Sequence, residues 1–191
     1  MKTTSIMIVG VGGQGTLLAS KLLGNVLLSQ GYDLKVSEVH GMSQRGGSVV
    51  TYVRFGEKVY SPVVDLGEAD YILSFELLES ARWIGYLKKG GRLITNTHRT
   101  PPMPVITGAA EYPSNIEARL RELADVTALE AMPLAEQAGS AKAVNVVLVG
   151  VLSRSMDIPE ENWLRAIEET VPPKFVELNR RAFLLGREVQ A

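Results

Sequence analysis

The sequence predicts an α/β fold of three layers, with a mostly parallel sheet, an antiparallel hairpin within it and a helical C-terminal third. Three observations carry this. An apolar run over residues 5–9 flows into Gly10, Gly12 and Gly15 and then directly into a helical apolar pattern, which marks a strand, a tight turn and a helix start. Strand and helix signals go on alternating as far as Met132, the pattern of a sheet wound with crossover helices. Beyond Met132 the periodic segments are helical.

The elements follow in order. The helix after the glycine turn spans residues 14–30, where Leu17, Leu18, Leu22, Val26 and Leu27 make a broad apolar face and Gly31 is the stop. Residues 34–39 form the second strand, a glycine-rich loop covers 41–47, and the β-branched alternation of 48–55 is the third strand. Gly56-Glu57 reads as a hairpin turn into a return strand at 58–61. A short buried strand at 70–74 leads to a helix over 76–89 with Gly90-Gly91 as its C-terminal cap. Residues 92–96 are a strand that ends at Thr97-His98-Arg99, ahead of the turn Pro101-Pro102-Met103-Pro104. A short helix at 115–123 and an edge strand at 126–131 complete the sheet region. Gly139 or Ser140 caps a helix that runs to Ser155, and Val144, Val147, Leu148, Val151 and Leu152 cover so much of it that burial is expected. Pro159 opens the next helix, with Asp157 as a candidate cap, and Pro172-Pro173 break it after Val171. The last helix presents Phe175, Leu178, Ala182 and Leu185 as a docking stripe. With no internal repeat or low-complexity linker, residues 1–191 read as one domain.

Composition narrows the function classes. The 191 residues are 46% hydrophobic and 21% charged with a formal charge of −1, as for a soluble globular protein. That balance, with no long Lys/Arg run, gives no field for nucleic acid or an anionic membrane. There is no cysteine, which excludes a disulfide framework and an all-cysteine zinc or iron–sulfur site in this chain. The two histidines lie far apart without ligand spacing, so no metal site is expected. The longest apolar run, 143–152, is interrupted by Asn145 and Gly150 and falls well short of the roughly 20 residues of a membrane span. No signal-peptide shape opens the chain, so a cytoplasmic location is the expectation.

Two glycine loops carry the chemistry. In the first, Gly10 permits a sharp exit from the strand, Gly12 lets a ligand approach the backbone, Gly13 adds bareness and Gly15 allows close packing of helix on strand. Bare N–H groups and the positive end of a helix dipole suit a phosphate; the alternative is a close-packed turn and nothing more. Glu38, near the end of the second strand, stands roughly where a dinucleotide fold places its ribose-holding acid. The second loop, His40-Gly41-Met42-Ser43-Gln44-Arg45-Gly46-Gly47, has no role in an ordinary dinucleotide fold. Arg45 is its strong anion reader, able to bond a phosphate or carboxylate in bidentate fashion; the alternative pairs it with an acid such as Glu38 to order the turn.

The paired motifs Gly10-Val-Gly-Gly-Gln-Gly15 and Glu38-Val-His-Gly-Met-Ser-Gln-Arg-Gly-Gly47 resemble the gamma-type domain of the 2-oxoacid:ferredoxin oxidoreductases, and in their second loop the indolepyruvate branch of that family. The resemblance covers nearly the whole chain. It implies oxidative decarboxylation of an aryl 2-oxoacid with coenzyme A to an acyl-CoA and carbon dioxide, with electrons passing to ferredoxin. It also implies that thiamine diphosphate and the iron–sulfur clusters reside in a partner alpha subunit, that this chain holds no cofactor by itself, and that it is inactive alone. By the same resemblance Gly12, Gly13, Gln14 and Gly15 lie near the coenzyme A path or a subunit contact, and Ser43, Gln44, Arg45, Gly46 and Gly47 face the partner's thiamine site. Arg45 is then expected to read a phosphate or the substrate carboxylate. His40 either donates to the same anion, acts as a relay, or caps the turn.

Weaker candidates remain open at this level. His98 and Arg99 either line the same crevice or belong to a solvated loop, and Asn96 and Thr97 could offer an amide and a hydroxyl there. Asn145, an amide in an apolar helix, either ties down a neighbouring loop or reaches a ligand. Trp83 and Trp163 suit core or interface. Two rival readings are a free-standing NAD(P)- or FAD-binding enzyme and a nucleotide-sensing regulatory module.

Overall fold

The computed structural model describes residues 3–40 and 46–190. Its elements are β1 (Thr4–Val11), α1 (Thr16–Ser29), β2 (Asp33–His40), β3 (Ser48–Gly56), β4 (Ala69–Ser74), α2 (Leu77–Trp83), β5 (Leu87–Asn96), α3 (Met103–Ile106), α4 (Ile116–Leu123), β6 (Asp125–Leu129), α5 (Ala131–Ala138), α6 (Val144–Ser153), α7 (Glu160–Thr170) and α8 (Val176–Glu188). The six strands lie in the order β2-β3-β1-β4-β5-β6. β1, β4, β5 and β6 pair in parallel, while β3 runs antiparallel to both of its neighbours, β1 and β2.

The apolar run of β1 is buried on both faces because helices cover both. Ile6 and Ile8 join one core with α1, α5, α6, α7 and α8, while Met7 and Val9 join a smaller one with α2 and α4. This alternation makes the three expected layers. β2 is different: half-buried to exposed along its whole length, with no strand beyond it among the described residues. On the larger face α6 is buried from Asn145 to Ser153 and crosses α8 at two glycines. A Cβ on Gly186 would sit inside the carbonyl of Val147, and one on Gly150 inside that of Phe183.

Five expectations are corrected. The antiparallel partner of β3 is not a return strand at 58–61, since residues 57–68 hold no strand; Asp33 instead ties this segment down by accepting the Val59 N–H at 2.8 Å, and Lys35 and that N–H hold its carboxyl below the usual range. Gly90-Gly91 do not cap a helix over 76–89. α2 stops at Trp83, a 3-10 turn covers 84–86, and both glycines lie inside β5 at a register shift against β4. Gly90 has φ +79°, and a Cβ on Gly91 would meet the Asp70 carbonyl at 2.9 Å; a bulge and a helix cap demand the same backbone freedom. α3 forms within the proline-rich turn, and α5 precedes Gly139. Pro159 is itself the cap position of α7, with no side-chain cap. No helix among the described residues is long and apolar enough to cross a membrane.

Candidate functional site at the carboxyl ends of the strands

Because β1 and β3 are antiparallel neighbours, the end of one meets the beginning of the other: Val11 pairs with Ser48. The loop leaving β1 and the loop entering β3 must therefore touch. They do so through backbone bonds, Gly12 N–H to the Gly47 carbonyl at 2.8 Å and Gly46 N–H to the Gly12 carbonyl at 3.4 Å. Gly46 and Gly47 thus stand against the first loop. Gly41, Met42, Ser43, Gln44 and Arg45 lie outside the described residues. His40 is exposed at the end of β2, paired with Val49.

The first loop is braced by side chains. Gln14 Oε1 accepts the Val11 N–H at 2.9 Å and its Nε2 donates to the Phe75 carbonyl at 3.3 Å. Gly10 makes room for that amide, since a Cβ there would lie 2.7 Å from Gln14 Oε1. Gly15 is left-handed, with φ +83°, and serves as the N-cap of α1. Buried Asn145 Nδ2 donates to the Gly15 carbonyl at 3.2 Å, and its Oδ1 accepts the Val146 N–H. The amide in the apolar helix is therefore a tie on the loop. Gly13, with φ +100°, has open space where a Cβ would stand.

Beside these turns lies a cleft of about 440 Å3 lined by Gly13, Gln14, Gly15, Phe75, Asn96, His98 and, across the mouth, Met132, Ala141, Lys142 and Val144. The first six lie in or just beyond the carboxyl ends of β1, β4 and β5, where parallel sheets place their ligands, and the volume is that of a small-molecule site. The cleft gathers the N-terminal turn of α1, the exposed ammonium of Lys142 just ahead of α6, and the His98 imidazole. Together these suit an anion. Asn96 is buried and knits three loops: its Nδ2 donates to the Phe75 carbonyl and its Oδ1 accepts the Ala131 and His98 N–H groups. Thr97 contributes its backbone N–H to the Leu129 carbonyl. Arg99 is not among the lining residues and lies over the Tyr112 ring, 5.5 Å from its centroid.

Sequence reasoning missed Lys142 and two buried carboxylates. Glu76, which follows Phe75, caps α2 by accepting the Glu79 N–H at 2.8 Å. Its other oxygen takes the Thr100 N–H at 2.9 Å and the Tyr112 hydroxyl at 2.7 Å. Burial, then this bond and the carboxylate charge, push the Tyr112 phenol above its ordinary pKa. Glu79 accepts the Ser48 hydroxyl. The i,i+3 spacing of two acids after a strand was the available signal, a capping pair at a helix start. Glu38 is corrected: β3 separates β2 from β1, so it stands two strand spacings, about 10 Å, from β1, level with Ile8 and short of the first loop, exposed and accepting the Thr51 hydroxyl at 3.3 Å. Trp163 is core, stacked on Phe183, and Trp83 is half-buried against Tyr86.

Comparison with known proteins adds to this geometry. Residues 5–189 match the family described as pyruvate ferredoxin/flavodoxin oxidoreductase. A relative from Thermococcus kodakarensis named indolepyruvate oxidoreductase subunit IorB is 49% identical over 97% of this chain and 95% of its own length. Among solved structures, the gamma subunit of a keto/oxoacid ferredoxin oxidoreductase from Geobacter sulfurreducens superposes with a TM-score of 0.72 at 24% identity, covering 97% of this chain and 96% of that one. A 2-oxoglutarate:ferredoxin oxidoreductase from Magnetococcus marinus, solved with 2-oxoglutarate, coenzyme A and succinyl-CoA bound, matches 98% of this chain with 31% of its own at a TM-score of 0.73 and 17% identity.

Proposed function

The chain belongs to the pyruvate ferredoxin/flavodoxin oxidoreductase family, and on that premise we propose that it is the smaller subunit of an indolepyruvate-type 2-oxoacid:ferredoxin oxidoreductase, a single domain over residues 1–191. The overall change is an aryl 2-oxoacid, coenzyme A and two oxidised ferredoxins going to an aryl acyl-CoA, carbon dioxide, two reduced ferredoxins and a proton. Thiamine diphosphate, which supplies the means to cleave the carboxyl–carbonyl bond, and the iron–sulfur clusters belong to the partner alpha subunit. A chain without cysteine has no thiolates for a cluster.

This chain's share is binding, orientation and exclusion of water. The cleft takes coenzyme A, with its phosphates toward the Gly13–Gly15 turn, Lys142 and His98, and Asn96 holds the walls in register. Gly10, Gly12 and Gln14 keep the turn in shape. The second loop, with His40, Ser43, Gln44, Arg45, Gly46 and Gly47, closes over the partner's reaction centre, where Arg45 meets a phosphate or the substrate carboxylate. The observation that carries this reading is the backbone bonding of the two loops beside the cleft.

Reconstitution tests it. The chain alone is expected to show no turnover and to bind no thiamine diphosphate; with its alpha subunit it restores arylpyruvate- and coenzyme A-dependent dye or ferredoxin reduction. Turnover by the isolated chain, or tight NADH or FAD binding to it, overturns the reading.

A further inference from the structure

We propose that Glu79, on α2, is a positioning residue for the Gly46-Gly47 end of the second glycine loop. The inference rests on the reading that this loop serves the reaction, but its structural half is tested apart from it.

Glu79 is a buried carboxylate, 4% exposed, and one of its three bonds leaves its own helix, the one to Ser48. One oxygen accepts the Ser48 hydroxyl and the Trp83 indole N–H at 3.3 Å; the other accepts Arg82 Nε at 3.0 Å. Arg82 is half-exposed, so solvent weakens that ion pair. The helix does not need the carboxylate for its cap, which Glu76 supplies through the Glu79 backbone N–H. Burying a charge in such a place costs more than burying an apolar side chain of the same size, so its return lies in what it holds.

What it holds is the stem of the loop. Ser48 is the first residue of β3, where the loop rejoins the sheet, and it follows Gly47, whose carbonyl takes the Gly12 N–H. A continuous path of contacts thus runs from α2 through Glu79 and Ser48 to Gly47 and Gly12. α2 begins two residues after Phe75, which lines the cleft. One helix therefore fixes both the floor of the cleft and the base of the loop beside it. Asn145 braces the first loop from α6, and Glu79 braces the second from the opposite face of the sheet.

The test compares E79M, E79Q and S48A in the complex with the partner subunit, by hydrogen exchange at the Gly12 and Gly46 amides and by the kcat and coenzyme A KM of the assembled enzyme. E79M and S48A are expected to speed exchange at both amides about tenfold, the opening expected when a buried bonded group is lost. kcat should fall by about tenfold with little change in the coenzyme A KM, because the loop is misplaced while the cleft is intact. E79Q keeps an oxygen for the Ser48 hydroxyl and is expected to restore most of both. S48A carries the comparison alone if E79M does not fold. Wild-type exchange at Gly12 and Gly46 in S48A overturns the inference whatever the activity, and so does faster exchange with unchanged kcat. A wild-type complex without turnover, its variants still loosened at these amides, overturns the functional reading and leaves the positioning intact.

Discussion

At the end of β1 the glycines face side chains; at the crossing of α6 and α8 they face backbone. Gly10 and Gly15 make room for the amides of Gln14 and Asn145, groups at the ends of side chains that can turn away. Gly150 and Gly186 make room for the carbonyls of Phe183 and Val147, which are fixed in the hydrogen-bond ladders of two packed helices. The difference separates two uses of one residue. In the loop the missing Cβ sets the shape of the proposed binding surface, and its loss should act first on function. In the crossing it sets the distance between two elements of the core, and its loss should act on stability.

The largest expected effect lies at the crossing. G186A and G150A each force α6 and α8 apart, and overpacking against backbone should cost about 3 kcal/mol. Thermal unfolding would then fall by roughly 6–12 °C for a chain of this size; a loss below about 1 kcal/mol would break the distinction between backbone and side-chain neighbours. Next comes G15A, which adds a left-handed backbone penalty to an overlap with Asn145, for about 1–2 kcal/mol. The double variant G15A/N145A should recover part of this in a double-mutant cycle, by about 1 kcal/mol, while the coenzyme A KM of the assembled enzyme rises with either change. Additivity would mean that the amide does not press on Gly15. The smallest effect on stability is expected for G13A, where nothing stands in the way of a Cβ and only its φ is penalised, by about 1 kcal/mol. Its proposed effect is on ligand approach, so a coenzyme A titration of the complex should respond more than unfolding does.

The same contrast explains what could be read in advance. The strand, glycine turn and α1 were legible because periodicity and glycine spacing are local signals, and the family followed from two such loops taken together. Asn145 stood out as an amide among valines, though only the fold shows that it reaches Gly15. Gly150 and Gly186 gave no signal, since each has its partner in a distant helix. Gly90-Gly91 misled because a bulge and a cap ask for the same backbone. α5 was obscured by its brevity and by Pro133. Glu79 gave no signal of its own partner, since its bond to Ser48 joins residues 31 apart in the chain.

β2 carries a further consequence. Its outer row of amides and carbonyls lies at the sheet's margin, and Val36 and Val39 along it are exposed. Such a margin is a template on which another extended chain can pair in register. Asp33, Lys35 and Glu38 punctuate that row with charge, the usual deterrent to fibrous growth. Neutralising those three positions is the change that would turn a well-behaved subunit into one that polymerises.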